Sequence, residues 1–418
     1  MARLFSKDKY NCQEPSSPCI WPVWIQVVAT GARSEHHPYC VRMGDSDTVR
    51  IAARYSSLDG LRGLAASVVV LHHCFLVSPQ LAQALDSRGT GLIEPWVWWS
   101  TYTPVHLLWA GREAVYIFFI LSGFVLTLPL LRAGRPSWRA YYPRRLVRIY
   151  LPAWGSILVA LLLAEIYPRV VRPEFSWWLN LHDEEPVIAR DAWLVLGAGQ
   201  LNSPLWSLQW ELLFSLLLPL YWLFANLLRR IWLLSVSLLF LVSGAAEMAS
   251  SFGLVFLLMF GVGTMMATGR DALERWARKL PAWGWCGVFL ASAALMSSEW
   301  LIPALSVGRS MATIGGALIV FAFIGCKSAI TLGNNSFVHW LGTRSFSLYL
   351  VHEPIVVSVA FLLHATNPFH VAFIAVPLSL LAAEAFFRAV ERPSLRLAGF
   401  VGSTITDRVR RSEEASIA

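Results

Sequence analysis

Long apolar runs recur along the chain from about residue 58 onward, and short polar segments separate them. Each run approaches the roughly 20 residues that a helix needs to cross the hydrocarbon core of a membrane. The runs fall at about 58–78, 111–131, 149–167, 205–226, 231–248, 252–268, 282–298, 310–326, 345–363 and 370–390. The pattern predicts an all-α integral membrane protein, a bundle of about ten transmembrane helices.

The segments on either side of these runs have a different pattern. Before residue 58, the longest apolar patch, CIWPVWIQVV, is interrupted by Pro22 and is too short to span a bilayer. We therefore predict an N-terminal extension, 1–57, that is disordered or mis-started, with Met43 as an alternative start. We assign 58–391 to the transmembrane domain and 392–418 to a basic cytoplasmic tail.

Composition supports membrane insertion and argues against a nucleic-acid partner. The chain is 56% hydrophobic and 14% charged, whereas a soluble domain averages about 25% charged residues. The formal net charge of +8 arises from basic residues that lie between apolar runs, as in the cytoplasmic loops of membrane proteins. The six cysteines show no CxxC spacing, and we predict no metal site.

The distribution of Lys and Arg predicts the orientation of the bundle. Alternate loops and the C-terminal tail contain 19 of these residues, whereas the segments on the opposite side contain six. Cytoplasmic loops carry the excess of positive charge. We therefore expect both termini in the cytoplasm and a multi-pass protein of the plasma (inner) membrane, with the loop 168–204 as its main external feature.

Two polar residues stand out in the first run, SLDGLRGLAASVVVLHHCF. Arg62 and His73 are eleven residues apart, so on a helix they share one face and are separated by about 16 Å along the axis. A cation at the membrane interface suits a phosphate, and an imidazole in the interior suits a proton-abstracting base. In the alternative interpretation, Arg62 is an interfacial anchor and His73 is hydrogen-bonded within the bundle. His72 points about 100° away and is expected to be structural.

An arginine-rich segment, RAGRPSWRAYYPRRLVRIYLP, precedes and enters the third run. Arginine is suited to bidentate contacts with phosphate. A loop that binds lipid headgroups explains the first arginines of the segment equally well. It explains less well Arg145 and Arg148, which form one helical face at the start of the span.

Two further runs contain ionisable side chains. In the fourth, Glu211 forms a stripe with Ser207 and Ser215 at helical spacing. In the ninth, SFSLYLVHEPIV, His352 shares a face with Tyr349, and Glu353 lies beside it. Ionisable residues inside a span are costly and are candidates for function, although a carboxyl group that is neutral and hydrogen-bonded in the bundle is the structural alternative.

Six segments, taken together and in order, resemble the acyltransferase-3 family of polytopic membrane O-acyltransferases. They are LDGLRGLAASVVVLHH, VYIFFILSGFVLT, the R-x-x-R of Arg145 and Arg148, LWSLQWELLFSLLLPL, SFSLYLVHEPIV and VERPSLRL. The resemblance covers roughly residues 56–395. Each segment alone is weak, but six at plausible spacing are specific.

The resemblance implies a donor, a catalytic residue and an acceptor class. Cytoplasmic acyl-CoA, with acetyl-CoA as the default, would place its phosphates against Arg62, Arg145 and Arg148. His73 would be the catalytic histidine, as a base or as a transient acyl carrier, and Glu211 and His352 would support it. The acceptor would be a hydroxyl of a glycan, lipid or small metabolite, as in carbohydrate O-acetylation.

Some relatives carry an appended soluble domain, whereas this chain ends 27 residues after Glu391. We therefore expect the membrane domain alone, or a separate partner, to handle the acceptor.

Two other functional classes remain open from the residues themselves. A transporter or flippase could use His73, Glu211 and His352 as a proton relay, although no inverted repeat is evident. A membrane scaffold with structural polar pairs is the third possibility. The sequence specifies neither the acceptor, the acyl chain length nor the oligomeric state, and it leaves open whether 1–42 belong to the mature chain.

Overall fold

The structure is a computed structural model that describes residues 55–87, 93–131, 136–183, 188–195, 197, 201–302 and 305–417. The extension 1–54, Met43 included, lies outside the described residues. The described chain is helical. Its first helices are α1 Ser56–Leu76, α2 Pro79–Ser87, α3 Pro95–Thr101, α4 Gly111–Leu130, α5 Trp138–Ile166, α6 Trp177–Asn180, α7 Ile188–Trp193, α8 Trp206–Leu227 and α9 Trp232–Met248.

The remaining helices complete the bundle. They are α10 Phe252–Thr268, α11 Arg270–Lys279, α12 Ala282–Met296, α13 Ser298–Leu301, α14 Gly308–Gly325, α15 Lys327–Gly333, α16 Ser336–Leu363, α17 Pro368–Phe386 and α18 Arg392–Ile417. A π-helical turn, Phe387–Glu391, joins α17 to α18. Asparagine side chains cap the starts of α16 and α17: Asn335 and Asn367 each accept hydrogen bonds from backbone N–H groups of the first turn.

The helices of the described chain agree with the predicted runs in position. Within the described residues, seven helices are long and apolar enough to cross a membrane, or up to nine if each of two bent pairs is one span. The bent pairs are α1 with α2, at 106°, and α10 with α11, at 73°. Every predicted run contains a helix, and α12 is apolar but shorter than the others. The count of ten and the cytoplasmic termini stay predictions.

The predicted ends of three helices need correction. α5 begins at Trp138 rather than near 149, and α16 begins at Ser336 rather than near 345. The segment 392–418, predicted as a tail, continues as a helix to Ile417. Hydropathy marks only the part of a helix that lies in hydrocarbon, so it misses polar turns at either end.

Glycine contacts bring α1 against α16. A Cβ atom added at Gly342 would lie 2.1 Å from the carbonyl oxygen of Asp59, and one at Gly63 would lie 2.5 Å from the Gly342 nitrogen. Small residues at such crossings let two membrane helices approach backbone to backbone. Because α1 carries Arg62 and His73 and α16 carries His352, this contact sets the spacing of the candidate site. We call the two ends of the bundle the arginine end and the histidine end, after Arg62 and His73.

Candidate active site

Two histidines from different helices meet in the interior of the bundle. His73, in the last turn of α1, and His352, in the middle of α16, are both buried. His73 Nδ1 lies 3.0 Å from His352 Nε2. Each ring is also held by its own helix: His73 Nδ1 is 3.0 Å from the Val69 oxygen, and His352 Nδ1 is 3.0 Å from the Leu348 oxygen.

These contacts determine which nitrogen of each neutral ring carries the proton. A carbonyl oxygen only accepts hydrogen bonds, so the proton of His352 is on Nδ1, and its Nε2 is an acceptor. His73 Nδ1 faces two acceptors, the Val69 oxygen and His352 Nε2, and must therefore carry the proton of its own ring. The lone pair of His73 is then on Nε2. Nε2 of His73 is the atom that can act as a base.

A buried carboxylate lies beside that atom. Glu353 Oε1 is 3.8 Å from His73 Nε2, and the Glu353 side chain is fully buried. Ser203 donates to the carboxylate through its backbone N–H at 2.5 Å and through its hydroxyl, and His182 Nε2 lies 3.4 Å from Glu353 Oε1. A fixed negative charge here stabilises the imidazolium that forms when His73 Nε2 takes a proton.

The segment between α5 and α8 supplies the partners of this carboxylate. Ser203 begins the 3-10 turn Ser203–Leu205 that leads into α8. The preceding Asn202 donates to the Leu350 oxygen of α16 at 2.9 Å, which ties the turn to the helix that carries Glu353. His182 is held through Nδ1 by the Trp178 oxygen at 3.0 Å. The predicted external loop therefore contributes directly to the histidine site.

Arg169, between α5 and α6, contributes positive charge to the surroundings of Glu353. Its Nε and Nη2 atoms are buried and have no hydrogen-bond partner among the described residues. Burial lowers the pKa of the Arg169 guanidinium, and the negative charge of Glu353 opposes that shift. Arg169 is thus within electrostatic reach of the carboxylate and keeps unused donors.

A cavity at the arginine end contains the predicted cationic residues. It encloses about 920 Å³ of non-protein space, including the part open to solvent. Arg62, Arg145 and Arg148 line it together with Glu211 and Glu391, and most of its remaining lining is apolar or aromatic. Cations together with an apolar wall suit a ligand that combines an anionic head with a hydrocarbon or thioester arm.

Glu211 pairs with an arginine of this cavity. Arg145 Nη2 lies 2.5 Å from Glu211 Oε1, and Arg145 Nε donates to the Ser215 hydroxyl at 2.9 Å. The Ser207, Glu211 and Ser215 stripe predicted from the sequence therefore faces the arginine cavity. The carboxylate beside His73 is Glu353, and the supporting role of Glu211 stays a prediction.

Tyr349 lies between the cavity and the histidines. It lines the cavity, its hydroxyl is 2.8 Å from the Ser207 hydroxyl, and its ring centroid is 5.9 Å from that of His352. Tyr349 and His352 are three residues apart on α16, so they share a face as predicted. The cavity thus ends one helical turn from the histidine pair.

The sequence did not single out three residues of this site. Glu353 was noted only as lying beside the face of His352, and an acidic residue inside a span was the signal that could have identified it. Ser203 lies just before the fourth apolar run, and its side chain and its N–H both bind Glu353. His182 belongs to a polar loop without periodicity, and no pattern in the sequence marks it.

Comparison with known proteins identifies the family. A family profile described as an acyltransferase domain matches residues 55–388. The chain belongs to the acyltransferase-3 family. The match includes every predicted site residue and ends before α18 begins.

Curated relatives from several organisms carry acyltransferase names. The acyltransferase MdmB of Streptomyces mycarofaciens is 26% identical over 338 residues, which are 72% of this chain and 78% of that protein. The O-acetyltransferase PaAT-1 of Phomopsis amygdali is 30% identical over 44% of this chain and 36% of its own length. The peptidoglycan O-acetyltransferase OatA of Listeria monocytogenes is 23% identical over 85% of this chain and 58% of its own length. No solved structure matches.

These findings establish the class of the protein. It is a multi-pass membrane protein and an acyltransferase that transfers groups other than aminoacyl groups, and its relatives support O-acyltransferase activity.

Proposed function

We propose that this protein transfers an acyl group, acetyl by default, from cytoplasmic acyl-CoA to a hydroxyl group of a glycan, lipid or small metabolite, with His73 as the catalytic histidine. One observation carries the proposal. A cavity lined by three arginines ends one helical turn from a buried cluster of two histidines and a carboxylate. A long donor with an anionic head and a distant thioester needs its phosphate-binding residues to lie well apart from its reaction site.

The arginine end would bind the donor. Arg62, Arg145 and Arg148 supply positive charge for its phosphates, and guanidinium groups suit bidentate phosphate contacts. The pantetheine arm would follow the apolar wall past Phe118 and Tyr349, whose rings are 5.7 Å apart. The thioester would then reach the histidine end, while the charged head stays near the cytoplasmic face of the plasma membrane.

The histidine end would perform the transfer. His73 Nε2 takes the proton of the acceptor hydroxyl as the acceptor oxygen attacks the thioester carbonyl carbon. The carbon–sulfur bond breaks, the thiolate of CoA leaves, and the proton passes from His73 to that sulfur. Glu353 stabilises the imidazolium between these events, and His352 fixes the ring through Nδ1. The donors of Arg169 would stabilise the oxyanion that develops on the carbonyl oxygen.

Acetyl is the favoured acyl group because two of the relatives are named O-acetyltransferases. Their names also favour oxygen as the acceptor atom. The acceptor would approach His73 from the histidine end. The excess of basic residues in alternate loops supports a position of that end opposite the cytoplasm.

Acyl transfer from labelled acetyl-CoA by the purified protein tests the proposal. The acceptors would be lipid and glycan extracts, and His73→Ala would be compared with the wild type. Removing a general base costs about 10²–10⁴ in rate, so His73→Ala should lose at least about 100-fold. His370→Ala, which changes an exposed histidine on α17, should retain activity. Undiminished transfer by His73→Ala would contradict the mechanism.

A further inference from the structure

A second cavity lies at the histidine end, apart from the arginine cavity. It encloses about 620 Å³, including the part open to solvent, between α2, α3, the start of α4 and α13. The polar and aromatic side chains that line it are Asp86, Thr101, Tyr102, Arg112, Glu299 and Trp300. The mechanism above uses none of them.

Buried polar atoms without partners concentrate at this cavity. Thr101 Oγ1, Glu299 Oε2 and Trp300 Nε1 have no hydrogen-bond partner among the described residues, and neither has Glu113 Oε1, next to Arg112. Thr101 and Trp300 are more than nine-tenths buried. Buried polar groups are nearly always hydrogen-bonded, and leaving one unpaired is costly. Three such atoms in the lining of one cavity indicate that their partners come from a molecule that binds there.

The chemistry of the lining describes that molecule. Arg112 forms a 3.2 Å ion pair with Glu299, which leaves the carboxylate of Asp86 as the excess charge of the lining. Carboxylate oxygens accept hydrogen bonds from hydroxyl groups, and the Trp300 N–H donates one. The aromatic residues Tyr102 and Trp300 add apolar lining to the cavity. The set suits a ligand rich in hydroxyl groups and without negative charge.

A stack of rings connects this cavity to the neighbour of the catalytic histidine. The Trp300 ring is 4.2 Å from that of His106, which is 4.2 Å from that of Trp109. The Trp109 ring is 5.9 Å from that of His72, the residue before His73. The cavity therefore lies on the acceptor side of the bundle, several ring widths from the reaction centre. It is suited to a part of the acceptor that does not react.

We propose that this cavity binds a saccharide, the remote portion of an extended acceptor whose reacting hydroxyl reaches His73. Only the description of the saccharide as the acceptor rests on the proposed function. The cavity itself is assigned from its orphaned polar atoms, its charge and its rings.

Direct binding without a donor tests the assignment. The full-length protein in lipid nanodiscs would be titrated with maltotetraose, with the glucosamine tetramer and with tetragalacturonate, and followed by saturation-transfer NMR and calorimetry. The neutral or the amino probe should bind, and tetragalacturonate should bind at least ten times more weakly. Trp300→Phe, which keeps the ring and removes the N–H, and Glu299→Gln should each weaken saccharide binding at least tenfold. Trp283→Phe, a change at an exposed tryptophan of α12, should have no effect.

Two outcomes would overturn the assignment: no binding of either the neutral or the amino probe, or binding that Trp300→Phe and Glu299→Gln leave unchanged. In the first case, water satisfies the orphaned atoms.

Kinetics separate this failure from failure of the proposed function. Trp300→Phe should raise the KM for an oligosaccharide acceptor and leave kcat unchanged. If His73→Ala abolishes transfer while Trp300→Phe binds saccharide normally, the result supports the proposed function and contradicts the saccharide site. If saccharide binding depends on Trp300 but no acyl transfer occurs, the result supports the saccharide site and contradicts the proposed function.

Discussion

At the scale of single residues, Glu353 gives His73 its proposed chemical role. The carboxylate is fixed by the Ser203 N–H and hydroxyl and faces Nε2 of His73. Without that negative charge, an imidazolium formed at His73 would lack this counter-ion, because the groups hydrogen-bonded to Nδ1 of His73 are a carbonyl oxygen and the His352 ring.

Glu353→Gln tests this role because it keeps the shape of the side chain and removes the charge. We expect kcat for acyl transfer to fall by about 10²-fold, with little change in the KM for acetyl-CoA. Steady-state kinetics of the purified variant would measure both. The matched control is Glu384→Gln, which changes a part-exposed glutamate bound to Arg344 and Arg388. An unchanged kcat in Glu353→Gln would remove the carboxylate from the mechanism.

The sequence predicted which site residues share a face of one helix, but not which residues meet across different segments. Arg62 and His73 could be related because both lie on one helix, where spacing determines the shared face. Glu384 and Arg388, four residues apart, form an ion pair at 2.6 Å that helical spacing likewise accounts for. His182 and Glu353 are 171 residues apart, and only the packing of a loop against α16 brings them together. Helical spacing contains no information about such contacts.

At the scale of elements, the crossing of α1 and α16 holds the histidine pair. The two backbones approach closely at Gly63 and Gly342, where no side chain separates them, and Gly60 of α1 meets Gly333 of the preceding α15 in the same way. The 3.0 Å contact between His73 and His352 lies further along the same two helices. The distance between the two histidines therefore depends on residues near the opposite end of α1.

Gly342→Ala should damage the site from that distance. The added methyl group would lie 2.1 Å from the Asp59 oxygen, and overpacking of this kind costs about 1–3 kcal/mol. We expect a lower Tm and at least a tenfold loss of kcat, measured by thermal unfolding in detergent and by the transfer assay. Gly287→Ala is the control, because nothing lies within 4 Å of a Cβ added there. Equal behaviour of the two variants would contradict the role of the crossing.

The existence of the elements was predictable, whereas their ends and bends were not. Apolar runs located a helix at every predicted position, because membrane burial requires long apolar segments. α5 extends beyond its run because Arg145 and Arg148 belong to the helix but not to the hydrocarbon zone. The bends after α1 and α10 occur at ordinary polar or small residues, Ser78 and Gly269, that no apolar pattern distinguishes.

At the scale of the whole molecule, the two ends of the bundle are expected to face opposite compartments. Large apolar side chains such as Phe373 and Leu241, 83% and 72% exposed, cover the sides of helices that would contact lipid. The arginine end carries the basic loops, so the positive-inside bias predicts that it faces the cytoplasm.

Cysteine labelling on intact cells tests this orientation. Gln83 of α2 is exposed at the histidine end, and Lys327 of α15 is exposed at the arginine end. In a background without native cysteines, a membrane-impermeant maleimide should label Gln83→Cys directly. It should label Lys327→Cys only after permeabilisation, because that site would be cytoplasmic. The reverse pattern would invert the topology and place the donor cavity on the wrong side for cytoplasmic acyl-CoA.

The central claim is that the arginine end binds the donor and the histidine end transfers the acyl group. It is tested most directly by measuring donor binding and single-turnover transfer in both His73→Ala and Arg148→Ala. His73→Ala should bind acetyl-CoA with an unchanged Kd and transfer at least about 100-fold more slowly. Arg148→Ala should bind acetyl-CoA at least about tenfold more weakly, since a charged hydrogen bond contributes about 1.5–3 kcal/mol. It should transfer at a near-normal rate once saturated and should handle S-acetylpantetheine, which lacks the nucleotide phosphates, like the wild type. If His73→Ala transfers normally, or if Arg148→Ala binds acetyl-CoA as tightly as the wild type, the two ends do not have these roles.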